Sequence, residues 1–548
     1  MAVARPRGCG QLCLRPPFLP GLPAPRLRLP RWHQRSSPLA PGRRLPLRLA
    51  PHYRDDVTAL NASTLRYLPK TVRVPEYDPK ACQAGIVHFG VGAFHRAHEA
   101  MFVDRLLALG LSTWSICGVG VLEADRAMRD VLREQDNLYT LVTVAPDGQA
   151  EARVIGSVTE YLYAPDDPQA VLRKLASPQT RIVSLTITEG GYSVSDTTGE
   201  FQPEDRLTMR DLASDGPPVS VLGFIAAALV LRRARSLPPF TVMSCDNLAH
   251  NGDVARTAVL GFARRKYPEL VQWAEDNVMF PNSMVDRITP ATTDETRAYT
   301  SATFGVDDRW PVRSEQFCQW VLEDRFADGR PPFEKAGVQM VDDVGPYELM
   351  KLRLLNASHQ VMSYLGLLAG ATWVHEVCRD PLFVELLLSY MREEAVPTLP
   401  PVPGIDLDGY CDGLIARFAS DAVKDTLARQ VVDGSDRIAK FLLPVVREQL
   451  SKGGEVRRSV LALAAWSTFL EDRLASGGTS AVTDRRAEQL ASAIEAERQS
   501  PGAFLGYEPV FGDLGADSRL RAMFITLRGK LHEQGARAAI SETVHGMH

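Results

Sequence analysis

The first 54 residues contain no acidic side chain and no lysine, yet they hold 11 arginines. Stretches such as PRGCGQLCLRPPFLPGLPAPRLRLPRW are interrupted by proline too often to sustain a helix or bury a core, so residues 1–54 are expected to lie outside the fold. Richness in arginine and poverty in acid match an organelle transit peptide, whereas the prolines oppose the amphipathic helix that import favours. A disordered tail and a segment absent from the mature protein stay open beside that reading. The expected compartment is the cytoplasm, or an organelle if the segment is a targeting signal.

Cysteine is scarce where pairing would need it. The eight cysteines stand at 9, 13, 82, 117, 245, 318, 378 and 411, with no CxxC pair and no Cys/His cluster at zinc spacing. This excludes a disulfide framework, and no metal site is expected. Long apolar runs are missing too. The longest, Val219 to Leu231, includes a serine and falls short of the roughly 20 residues a spanning helix needs, so no membrane association is expected. Beyond residue 54 there is no excess of positive charge. Setting the 11 N-terminal arginines aside from the 62 basic residues leaves 51 against 66 acidic ones, a body near −15 that repels phosphate backbones. Nucleic acid is therefore not an expected partner.

What is present is a chain of 548 residues, 45% hydrophobic, too long for a single core. GIVHFGVG, WSICGVGV, YTLVTVA, RIVSLTIT and FTVMSCDN read as strands, and HEAMFVDRLLALG, ADRAMRDVLREQ and VSVLGFIAAALVLRRARS as helices among them. After about residue 280 the strand signal fades. LVQWAEDNV, EQFCQWVLEDRFA, YELMKLRLLNASHQVMSYLGLLAG, PLFVELLLSYMREEAV, DRIAKFLLPVVREQLS and RRSVLALAAWSTFLEDRLA all favour helices. The expectation is an α/β fold in which a nucleotide-binding domain of Rossmann type over residues 55–280 precedes a mainly α-helical domain over 281–548. No period repeats, which excludes a solenoid.

GIVHFGVGAFHRAH places Gly90 and Gly92 between a strand and a helix, where glycines let backbone N–H groups approach a pyrophosphate. His95 stands where a third glycine would complete G-x-G-x-x-G, so an ordinary strand-to-helix turn explains the pattern as well. Phe94 and Arg96 of the same turn join the two glycines as candidate cofactor contacts. Past the next strand, Asp125 and Arg126 are adjacent: a carboxylate there suits the ribose hydroxyls of NAD, an arginine the extra phosphate of NADP. NAD is the expected coenzyme.

KLRLLNASH interrupts an apolar helix with polar groups. At 100° per residue, Lys351, Asn356 and His359 fall within a sector of about 140°. In a straight helix, however, Lys351 and His359 lie ~12 Å apart along the axis, so they would address different atoms of one ligand. Glu348 precedes Lys351 by one turn. A surface Lys/Glu pair with a satisfied core histidine is the plainer alternative for each residue taken singly.

Taken together, GIVHFGVGAFHRAH, TITEGGY, SCDNLAHNG, MVDRITP, WPVRSEQFCQWVLEDRF and KLRLLNASH resemble the polyol-specific long-chain dehydrogenase/reductase family, most closely its mannitol-oxidising members, from about residue 55 to beyond 430. The resemblance implies NAD-dependent, metal-independent oxidation of D-mannitol to D-fructose by a monomer. Its pattern K-x-x-x-x-N-x-x-H falls on Lys351, Asn356 and His359. It makes Lys351 the general base, Asn247 and Asn356 the donors to the developing alkoxide, and Glu348 a proton outlet. His359, Asp286 and Arg429 would hold the remaining hydroxyls, with Glu189 near the nicotinamide. Another polyol, D-arabinitol or D-sorbitol, remains an alternative, as does a hexuronate such as fructuronate. So does a catalytically inactive nucleotide sensor, because fold does not establish function.

Overall fold

The computed structural model describes residues 57–195, 198–421 and 425–546, and the N-terminal segment 1–54 lies outside them. Five parallel strands form the sheet that carries the site. In spatial order they are Val158–Tyr163, Trp114–Gly120, Gln83–Phe89, Ile182–Leu185 and Thr241–Ser244. Numbered along the chain, that order is 3-2-1-4-5, so the winding reverses between Gln83–Phe89 and Ile182–Leu185, where sheets of this topology open a crevice for ligands.

Both faces of the sheet are covered, which is why its strands lack a polar alternation. Val87, Phe89 and Val183 pack on one face with Phe224, Ile225 and Leu229 of the helix Val221–Ala234. Ile86, Ile116 and Ile182 pack on the other with Met101, Phe102 and Leu106 of the helix Glu99–Ala108. Neighbours in sequence thus serve opposite cores, as the two-residue period of a strand requires. Ser220 starts the first of these helices by accepting the Gly223 N–H at 3.0 Å.

Strand structure does not end near residue 280. Ser283–Asp286 pairs antiparallel with Gln319–Glu323, which pairs in parallel with Gln339–Val341. Val312–Glu315 pairs in parallel with Tyr139–Val144 in a four-stranded sheet. The helix expected over EQFCQWVLEDRFA is therefore a strand in its middle, where Trp320, Val321 and Leu322 are all fully buried. A short apolar run buried on both sides has no period of its own, so helix and strand fit it equally.

From Gly345 onward every named element is helical. The helix Arg457–Gly477 runs through the centre of this part, and its Trp466 packs against the rings of Phe504 at 5.0 Å, Phe511 at 6.2 Å and Tyr364 at 6.4 Å. Burying each such side chain stabilises the domain by roughly 1.5–3 kcal/mol. The architecture is a Rossmann-type domain followed by a helical domain. Among the described residues no helix is long and apolar enough to cross a membrane.

Candidate active site

The crevice at the winding reversal is built by glycine. Gly90 leaves its strand with φ of +92°, and a Cβ there would stand 2.0 Å from the Thr186 carbonyl oxygen, so no side chain fits. Gly92 donates to the Gly90 carbonyl at 2.6 Å, and a Cβ on Gly92 would meet only that oxygen, 3.8 Å away. The space in front of the turn is open. Phe94 borders it and stacks on His98 with 4.8 Å between centroids.

Not every expected cofactor contact faces this space. Arg96 is buried, donates to the Trp310 carbonyl and, at 3.3 Å, to the Gly92 carbonyl, and so holds the turn from behind. Asp125 opens the helix Asp125–Glu134 just past the second strand, where its Oδ2 accepts the N–H groups of Val121 and Leu122, each at 2.9 Å. Glu189 is 61% exposed and lies 3.7 Å from Lys440. Its neighbours Thr186 and Thr188 border the crevice instead.

A cavity of about 780 Å³ extends from the glycine turn into the helical domain, and Asn247, Asp286, Lys351, Asn356, His359 and Arg429 all line it. Lys351 is 8% exposed. Its Nζ donates to Asn247 Oδ1 at 2.5 Å and to the Val285 carbonyl at 2.7 Å. Burial pulls the amine below its ordinary pKa, with Asp286 opposing and Arg417 assisting.

The helix carrying these groups is not uniform. Gly345–Met350 and Ala357–Leu368 are α-helical, but Lys351–Asn356 between them is a π-helix, closed by Ala357 donating to the carbonyl five residues back at Leu352. A five-residue spacing leaves two side chains about 140° apart on an α-helix; with five-residue hydrogen bonds it brings Asn356 over Lys351. The widened turn also packs more residues into a given length, so Lys351 and His359 reach one cavity. Among the described residues, the buried Asn356 Oδ1 has no hydrogen-bond partner.

The remaining groups are held by ion pairs. Arg417 on the helix Leu407–Phe418 clamps Asp286 through two bonds of 2.9 and 3.0 Å, and Glu315 through two more of 2.9 and 2.8 Å. Arg429, 62% exposed, grips Asp425 at 2.8 and 2.6 Å. Burial depresses the His359 pKa to about 4, so its ring is neutral near pH 7, and it packs 4.7 Å from Phe418. Glu348 accepts the His250 backbone N–H at 3.1 Å, and burial raises its pKa to about 7.

Arg417 and Asp246 escaped sequence reasoning. Arg417 shares the apolar face of its helix with Cys411, Leu414 and Phe418, and that position was the available signal. Asp246 accepts the N–H groups of Ile187 and Thr188 at 2.9 and 3.0 Å and the Tyr192 hydroxyl at 2.7 Å. It thereby holds Thr188 at φ 63°, ψ 166°, a region that side chains rarely occupy. His88, His95 and Glu99 also converge, buried, with potential ligand atoms within 4.8 Å of one another. Glu99 lies 3.0 Å from His88 and 3.7 Å from His95.

A doubly wound sheet with an open glycine turn, joined through one cavity to a buried lysine, defines a two-domain oxidoreductase of the dehydrogenase class. Residues 84–335 match the model of the mannitol dehydrogenase Rossmann domain, and residues 343–529 that of the mannitol dehydrogenase C-terminal domain. A mannitol 2-dehydrogenase of Phaeosphaeria nodorum is 47% identical over 489 residues, covering 88% of this chain and 85% of that one. The Pseudomonas fluorescens mannitol 2-dehydrogenase, solved as a ternary complex with NAD and D-mannitol, superposes with a TM-score of 0.77 at 44% identity, covering 88% of this chain and 99% of the other. A D-sorbitol dehydrogenase in substrate-free form superposes with a TM-score of 0.82 at 40% identity, covering 88% and 100%. The chain belongs to the mannitol dehydrogenase family and is a polyol dehydrogenase.

Proposed function

We propose that this protein oxidises D-mannitol reversibly to D-fructose with NAD, with Lys351 as general base and no metal on the reacting oxygen. The environment of the Lys351 amine carries this reading. A neutral amine has two N–H bonds and one lone pair. Asn247 Oδ1 and the Val285 carbonyl take the two hydrogens, and the lone pair is left for the cavity. Burial favours that neutral form, as a base working near neutral pH requires.

Bound NAD supplies the hydride acceptor for the carbinol carbon. The open turn at Gly90 and Gly92 fits its pyrophosphate, and Phe94 would flank it. Asp125, just past the second strand, would accept the adenosine ribose hydroxyls with the oxygen its backbone bonds leave free, which favours NAD over NADP. Because Asn247 Oδ1 accepts from Lys351, its Nδ2 is the group left to donate to the alkoxide that forms as the proton departs. The carboxamide of Asn356 faces the same space without a protein partner for its oxygen. His359, Arg429 and Asp286 line the rest of the cavity and hold the other hydroxyls. Glu348, with a pKa of about 7, passes the proton from Lys351 toward the exposed His250 and water.

The likeness to a D-sorbitol dehydrogenase favours a second reading, since sorbitol and mannitol are epimers at one carbon. NADH absorbance with mannitol, sorbitol and arabinitol, each with NAD and NADP, and with the keto acid fructuronate in the reducing direction with NADH and NADPH, decides between them. The highest kcat/KM is expected for mannitol with NAD; a higher value for any other pair overturns the assignment. Chelation should leave turnover unchanged, and chelator inhibition reversed by zinc would contradict the lysine mechanism.

A further inference from the structure

Asp286 is the carboxylate whose field most strongly favours the ammonium form of Lys351. It ends the strand Ser283–Asp286, one residue past the carbonyl that accepts from Lys351. Left unpaired, it would be a ready partner for the amine. We propose that Arg417 is a positioning residue: by clamping both carboxylate oxygens of Asp286 it keeps that carboxylate from pairing with Lys351, and so leaves the amine free to take the substrate's proton. This inference rests on Lys351 being the base.

The geometry supports the role. Arg417, Asp286 and Glu315 are each under 10% exposed, so their charges must be matched internally. Arg417 does so with four hydrogen bonds from one planar fork, two to each carboxylate, and its guanidinium carbon lies 4.0 Å from the Phe317 ring centroid. Lysine could not reproduce this, because a point charge on a flexible stem cannot occupy four oxygens at once. The charged and titratable groups acting on Lys351 are Asp286 from the strand, Glu348 from the preceding helical turn, Arg417 from the helix Leu407–Phe418, and the buried His98 from the turn before Glu99–Ala108, whose ring burial keeps neutral. Those around Arg417 are Asp286, Glu315, Tyr410 and His359. Arg287 balances the outer side, donating to the Glu315 carbonyl at 3.0 Å.

The test is the pH dependence of kcat/KM for polyol oxidation in wild type, Arg417→Lys, Lys351→Ala and the double variant Arg417→Met with Asp286→Asn. Wild-type activity should rise with pH through the Lys351 pKa. Arg417→Lys keeps the charge but frees a carboxylate oxygen, so the midpoint should move up by about one pH unit, roughly a tenfold loss at a fixed pH below it. The double variant removes the carboxylate and should bring the midpoint back, whatever its maximal rate. A uniform loss in Arg417→Lys with an unmoved midpoint would show a structural role only and overturn the proposal. Should Lys351→Ala keep the wild-type midpoint, the base assignment fails independently of Arg417. NADH binding by fluorescence confirms that Arg417→Lys is folded, and that variant decides the matter even if the double variant is not.

Discussion

Lys351 has two acceptors within 2.7 Å and a cavity beside it, so its contribution is separable from those of its neighbours. Replacing a positioned base lowers the chemical step by about 10²–10⁴-fold. In the proposed mechanism Asn247 donates to the forming alkoxide, so Asn247→Ala should lower kcat by about 10²–10³-fold, with KM for NAD nearly unchanged in steady-state kinetics. His359 makes a prediction about stability. Its folded pKa of about 4 lies below the 6.5 of an unperturbed ring, so between these values the unfolded chain takes up a proton that the folded chain refuses. Stability should therefore fall as pH drops from 6.5 toward 4, by up to on the order of 3 kcal/mol from this residue. Thermal unfolding across that range checks it, and His359→Asn should flatten the slope. The lysine, asparagine and histidine were legible because polar groups in a leucine-rich helix demand an explanation. Arg417 was not, because an arginine in sequence looks the same whether it faces water or clamps two buried carboxylates.

At the scale of elements, the π-helical segment Lys351–Asn356 aligns the site. Composition does not specify a hydrogen bond to the fifth residue back, so α-helical periodicity set Lys351 and Asn356 about 140° apart. Deleting Leu352 should let the segment relax to an α-helix in which Asn356, now four residues from Lys351, still shares its face. Helical circular dichroism and polyol oxidation should both persist; loss of activity with the fold intact would mean that the widened turn itself is needed and not only the alignment it gives. The strand Gln319–Glu323 has a different cause of illegibility. Three consecutive buried residues, Trp320, Val321 and Leu322, carry no alternation, and only their partners Ser283–Asp286 and Gln339–Val341 make them a strand. The central sheet was readable because its strands alternate with helices of clear period, such as Glu99–Ala108.

Across the whole molecule, the glycine turn belongs to the sheet domain and Lys351 to the helical one, so neither domain alone contains the whole of the proposed site. Few large apolar side chains are exposed among the described residues, Tyr67 at 64% and Leu109 at 57% being the most open. A monomer is expected, with a light-scattering mass near 60.3 kDa; a value near twice that would contradict it. The split explains why the fold class could be read before the chemistry: the sheet announces itself by local pattern, whereas the site exists only once Asn247, Asp286 and Lys351 are brought together from distant parts of the chain. The central claim, a neutral lysine as base, is tested most directly by single-turnover hydride transfer in Lys351→Ala with NAD and mannitol, with and without an added small primary amine. The account predicts a fall of about 10²–10⁴-fold, partly restored by the amine; a rate near wild type without it would contradict the account.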